Sequence, residues 1–218
     1  TPTPVNDDNS GTLSYVRIEY AGYAFQPDKE INSLTMACVG SGTTIDHVQT
    51  TYAKDDAFEW FGGTVNAKFL IAYKTQDDDF DTDNGFSGKI QFGLIIRDSA
   101  IADISTSEAF ESDNNSGGTT ASPKTSAIFS NITAIGPRKT LDNVGNTLFR
   151  AGAQIRRNSS ISLYNSIIMG WPQGILIDGT TGTSTALNIE DSSLRLRNVT
   201  LAGNTINVKF SGVGGATI

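Results

Sequence analysis

Cysteine is all but missing from this 218-residue chain: Cys38 stands alone, so neither an internal disulfide nor a thiolate metal cluster can form. Histidine is as scarce. The single His47 sits in IDHVQ, an ordinary strand position by its pattern, and no histidine remains around which a catalytic triad could be drawn. Positive charge is in deficit, with 16 Lys and Arg against 23 Asp and Glu and a net charge of −7. The basic surface that nucleic-acid binding draws on is therefore lacking, and nucleic acid is excluded as a partner. No apolar run approaches the roughly 18 residues of a membrane-spanning helix. The opening TPTPVNDDNSG has neither the basic start nor the apolar stretch of a signal peptide.

What is present is a β composition. The chain has 22 Gly, 11 Phe, many Ser, Thr and Asn, and no long Ala/Glu/Leu/Lys stretch. With 38% hydrophobic residues it can bury a sizeable core. Residues 1–11 read as a linker and residues 12–218 as one domain.

Short alternating segments recur along that domain: LSYVRIEY, IDHVQTTY, AKFLIAY, IQFGLII, IFSNITAI, ISLYNSIIM and LRLRNVTL. Aligning Val16, Val48, Leu70, Leu94, Ile132, Ile167 and Val199 gives a basic unit of about 22 to 24 residues, lengthened in places by loops. A second column runs beside the first. Phe58, Phe80, Phe110, Ile175 and Ile206 align, with Trp60, Thr82, Ser112, Ile177 and Val208 two residues on. Two strand columns per unit, joined by Gly, Asn and Asp corners, describe a coil whose copies stack at about 4.8 Å and close a common core. The expectation is an all-β, right-handed, single-stranded parallel β-helix of about seven coils with loop insertions. A β-sandwich also has many short strands, but not two aligned columns. Asn131, Asn165 and Asn198 fall at one corner, where stacked amides can bond along the axis. The loops at Tyr23 to Asn32, Asp113 to Thr125 and Gly136 to Asn146 are expected to project from one side.

GTLSYVRIEYAG, VGSGTTI, FEWFGGTVNAK and DDDFDTD resemble a mostly uncharacterised family of large secreted or lipid-anchored surface proteins of Bacteroidetes and marine bacteria. The resemblance is strongest from about Asp8 to Ile135. It implies an extracellular or outer-membrane, surface-exposed solenoid that is a piece of a longer protein, and no established reaction. Flanking domains or a partner chain would then cover the ends of the β-helix, whose open strand edges are prone to aggregate.

The densest chemistry is acidic. Asp55, Asp56 and Glu59 fall on one rung, Asp77, Asp78, Asp79, Asp81 and Asp83 on the next, and Glu108, Glu111 and Asp113 on a third. If Phe58, Phe80 and Phe110 point inward, Glu59, Asp81 and Glu111 become outward neighbours. Crowded hard oxygens suit Ca²⁺, and the eight residues from Asp55 to Asp83 are its candidate ligands. The alternative is that the aspartates bond to corner amides or lysines, or are solvated. Tyr23 and Trp171 are candidate sugar-stacking rings, Trp171 from a turn between Gly170 and Pro172; the alternative makes Trp171 a lid on the core and Tyr20, Tyr52 and Tyr73 an aromatic stack at a corner. Glycosidases of the polygalacturonase type carry Gly-His-Gly and Arg-Ile-Lys elements that this chain lacks. Lyases on this fold resemble a pairing of Ca²⁺ with a basic residue, for which Arg138, Lys139, Arg156 and Arg157 are available but several rungs from the acids. These readings favour a non-enzymatic module for adhesion, glycan binding or assembly. A polysaccharide lyase or hydrolase and a structural spacer are the alternatives.

Overall fold

The computed structural model describes residues 5–23 and 31–212. Phe25 and most of the Tyr23 to Asn32 loop lie outside them. The strands in chain order are β1 (Thr12–Glu19), β2 (Leu34–Ala37), β3 (Thr44–Thr51), β4 (Phe58–Phe61), β5 (Asn66–Tyr73), β6 (Phe80–Asp83), β7 (Lys89–Ile96) and β8 (Phe110–Ser112). They continue with β9 (Ile128–Ile135), β10 (Ala151–Arg156), β11 (Ser162–Tyr164), β12 (Ile167–Met169) and β13 (Gln173–Gly179). One short helix, α1 (Leu187–Glu190), precedes β14 (Leu196–Arg197), β15 (Thr200–Ala202) and β16 (Ile206–Gly212).

Two parallel sheets result. One runs β1-β3-β5-β7-β9, then β11 and β12, then β14 and β15; the other runs β16-β13-β10-β8-β6-β4-β2. Counting β11 with β12 and β14 with β15 as single split strands, successive strands along the chain alternate between the sheets, so each pair makes one coil, and seven coils are described. The architecture is a parallel β-helix. Its core forms because each coil's inward side chains land on those of the next. Phe58, Phe80 and Phe110 stack rung on rung with centroids 5.6 Å apart, and Phe129 from the first sheet meets Phe110 at 5.1 Å. All four rings are buried, and burying each side chain contributes about 1.5–3 kcal/mol.

The first sheet's eight-residue strands bend at their fourth residue. Tyr15, His47, Phe69, Phe92 and Asn131 all have positive φ there, between 50° and 62°. Asn165 and Asn198 repeat the bend where the chain divides into β11 and β12 and into β14 and β15. Asparagine tolerates this conformation, and Asn198 donates an amide hydrogen bond to Asn165 at 3.1 Å. His47 is therefore a bend residue, not an ordinary strand position, because its neighbours above and below share the left-handed turn.

The registers correct three aligned positions. Leu70 pairs with Gly93, and Gly93 with Ile132, so Leu94 belongs to the next column out. A Cβ at Gly93 would lie 2.8 Å from Ile132 Cδ1 and 3.2 Å from the Phe80 ring, so a side chain there would have to displace Ile132, and glycine stands where hydrophobic matching favours leucine. Likewise Ser166, not Ile167, is level with Ile132, whose amide it accepts at 3.1 Å. On the second sheet Ile175 pairs with Val208 rather than Ile206, and Ala153 supplies the missing rung. The Ile206 slip is of two residues, which preserves in-and-out alternation, so periodicity alone does not detect it; those at Leu94 and Ile167 are of one residue and follow a hydrophobic side chain next to the small core residue.

Candidate functional site

With Phe58, Phe80 and Phe110 turned inward, strand alternation sends the residues beside them out, and the register aligns Glu59, Asp81 and Glu111 on successive rungs. Gln154 on β10 continues the column beyond Glu111. One corner earlier a second column forms. Asn32 Oδ1 accepts the Asp56 amide at 3.3 Å, Asp56 Oδ1 accepts the Asp78 amide at 3.0 Å, and Asp78 Oδ1 accepts the Glu108 amide at 2.6 Å. Each side chain thus closes the main chain of the next coil, which is the corner-amide role open to these aspartates from their positions in the repeat.

The two columns converge. Asp56, Glu59 and Asp81 each offer an oxygen within 4.8 Å of the others, as do Asp55, Asp56 and Asp77, and Asp78, Glu108 and Glu111. Oxygens at these separations suit Ca²⁺, whose ligands lie about 2.3–2.6 Å from the ion and whose coordination is flexible. Asp56, Glu59 and Asp81 would hold such an ion on one side of the strip, and Asp78, Glu108 and Glu111 on the other. Burial, reinforced by neighbouring carboxylates, pushes Asp56, Asp78 and Asp81 well above the usual range for aspartate. It raises Glu59 to about 7, Asp77 to about 7 and Glu111 to about 8. Among the described residues, no Lys or Arg forms an ion pair with Asp56, Glu59 or Asp81.

Four expectations change. Asp79 is not on the strip: it is fully buried and paired with Arg97, Nε to Oδ2 2.8 Å, because it faces the interior side of the corner. Asp83 lies one outward position beyond Asp81 and accepts the Asn84 amide at 2.5 Å, outside the three convergent groups. Trp171 does not project. Its ring is fully buried, edge-on to Phe149 at 6.0 Å and 5.8 Å from the Arg97 guanidinium, so its turn folds the indole inward as a plug on the core. Tyr23 is 78% exposed.

The fourth change concerns arginine. Arg156 and Arg157 are not rungs away from the acids. Arg156 donates to Glu111 and, through Nε, to Asp113 at 2.8 Å, while Arg157 reaches Asp113 at 2.6 Å. The long insertion between β8 and β10 hides this in the sequence, since 45 residues separate partners that lie one rung apart. Arg150 and Asp178 extend the charged strip, 3.5 Å apart beside Gln154. Among the described residues the strip therefore grades from carboxylates without an ion pair at β4 and β6 to arginine-matched carboxylates at β8. Arg138 lies elsewhere and binds the Gly203 carbonyl at 2.9 Å.

A family model described as a pectate-lyase-like beta helix domain matches residues 4–215. No curated protein and no solved structure matches the chain.

Proposed function

The chain belongs to the family of pectate-lyase-like beta-helix domains, and from that premise we propose that it is an extracellular, non-catalytic module whose carboxylate strip holds Ca²⁺ and through it an anionic glycan. The observation that carries this reading is the convergence of Asp56, Glu59 and Asp81 within 4.8 Å, with no basic side chain paired to them among the described residues. Such a cluster lacks a counter-charge that a hard divalent cation supplies. A glycan carboxylate completes the coordination sphere of an ion bound at the rim, and Arg156 sits one rung past Glu111 to meet the next acidic group along the polymer. Burial within the Glu111 and Asp113 pairs makes Arg156 a fixed positive point rather than a mobile base.

The test is binding of polygalacturonate, alginate and a neutral glucan by affinity electrophoresis, with Ca²⁺ or with chelator. Retention of the acidic polymers in Ca²⁺ alone supports the proposal; equal retention of the neutral glucan, or no effect of chelator, overturns it. A second reading, a lyase, is favoured by Arg156 itself, among the described residues the one arginine bonded to two carboxylates of the strip. Ultraviolet absorbance from unsaturated products, lost in Arg156→Lys, would establish that reading instead.

A further inference from the structure

A concavity of about 500 Å³ lies on the other sheet along its column of bends. The rings of Tyr15, His47 and Phe69 stack with centroids 4.5 and 4.4 Å apart, and Phe92 follows Phe69 at 5.0 Å, all four nearly parallel. They form one wall of a groove that runs parallel to the solenoid axis. Gln49, Ile71 and Leu94, two residues further along each strand, form the other wall. Four rungs give the groove a length of about 14 Å. Arg17 stands at the β1 end and Asn131 at the other.

The chemistry of the lining selects the occupant. The ring faces are spent on one another, so the inner rings offer edges to the groove, and a sugar that stacks on ring faces finds none there. The floor strands are hydrogen-bonded rung to rung at Val48 and Leu70, which leaves no main-chain partner for a peptide laid across them. Gln49 already donates to Thr51 Oγ1 at 3.0 Å, and the His47 ring nitrogen is engaged by Asp46. Phe69, Ile71, Phe92 and Leu94 offer no side-chain hydrogen-bonding group, so a peptide or glycan laid along them would lose water without replacement hydrogen bonds. An alkyl chain carries no such groups. The one permanent cation in the lining, Arg17, uses Nε on Glu19 and keeps its side chain 62% exposed at the groove mouth.

We propose that this groove binds a monomeric single-chain amphiphile, its alkyl chain along the aromatic column and its carboxylate head at Arg17. This site is separate from the carboxylate strip and does not depend on the reading given to that strip.

The test is calorimetric titration of octanoate, decanoate and dodecanoate, each below its micelle concentration, with decanol as the uncharged control. Affinity rises about twofold to fourfold per methylene in a groove that buries the chain partly to fully, and decanol binds about tenfold more weakly than decanoate. Ile71→Thr with Leu94→Thr lowers decanoate affinity at least about tenfold while keeping strand-favouring residues. If that double variant unfolds, Arg17→Gln decides the matter by abolishing the preference for acid over alcohol. Affinity independent of chain length, or unaltered in the folded double variant, overturns the proposal. So does a concentration-dependent dimer of the native chain that the double variant loses, which would make a second copy the occupant. Binding only to phosphatidylglycerol vesicles, with no monomer bound, overturns it as well.

Discussion

Arg97 and Asp79 bury an ion pair beneath the carboxylate strip, with Nε 2.8 Å from Oδ2 and neither side chain exposed. The same guanidinium donates to the Thr75 carbonyl at 2.7 Å and to the carbonyls of Asp77 and Glu108. Phe149 and Trp171 flank it at 5.6 and 5.8 Å. One buried cation thus ties the main chain of two strip residues, on successive coils, to the core.

Arg97→Met is expected to destabilise the fold by about 3–5 kcal/mol, because it strands a buried carboxylate and three carbonyls. Asp79→Leu added to it removes the stranded charge and restores part of that loss. Urea denaturation of the two variants checks the order; a double variant less stable than Arg97→Met overturns the assignment of the pair.

The strip makes stability depend on pH in a stated direction. Glu59 and Asp77 near 7 and Glu111 near 8 lie above their unfolded values of about 4. Between those limits the unfolded chain has released protons that the folded chain keeps, so folding stability falls as pH rises from about 5 to 8. The expected fall is on the order of a few kcal/mol in chelator, and it flattens in Ca²⁺, which binds the ionised form. Melting temperatures measured across that range, with and without Ca²⁺, test both statements. A melting temperature that rises with pH in chelator contradicts them.

Glu59→Gln separates fold from ligand. The change removes a charge that burial disfavours and keeps an amide where Asn32 and Asp81 are neighbours. Without cation at pH 8 the variant is expected to be more stable than the native chain by about 1 kcal/mol, and its Ca²⁺ affinity to be at least about tenfold lower. Differential scanning calorimetry and calcium titration give the two values. A variant destabilised in chelator shows that Glu59 serves the fold.

Gly93→Val tests the register. Its branches would enter the space held by Ile132 Cδ1 and the Phe80 ring, at 2.8 and 3.2 Å from the Cβ position. Overpacking of this kind costs about 1–3 kcal/mol. Leu94→Val, one column outward, is expected to change stability by less than about 1 kcal/mol. Equal effects at the two positions would restore Leu94 to the core column.

Much of the coil was legible in the sequence. Phe58, Phe80 and Phe110 fall in one register with Glu59, Asp81 and Glu111 beside them, and strand alternation then assigns the two sets to opposite faces. Trp171 was not legible, since a Gly-Trp-Pro turn can send its ring either way and only the Phe149 and Arg97 surroundings draw it inward. Nor was the aromatic groove. Tyr15, His47, Phe69 and Phe92 read as unremarkable alternating positions, and their shared left-handed bend emerges only when the coils are in register.

By itself the amino-acid order determined that this chain winds into stacked parallel coils, because alternation and repeat length are local properties that every unit carries. The tertiary structure alone decided which charges meet. Arg156 reaches Glu111 across 45 residues of sequence, whereas Arg97 reaches Asp79 within a single coil. Whether a carboxylate is matched by arginine, by an amide or by neither depends on what the adjacent coil delivers at that height, which periodicity does not encode.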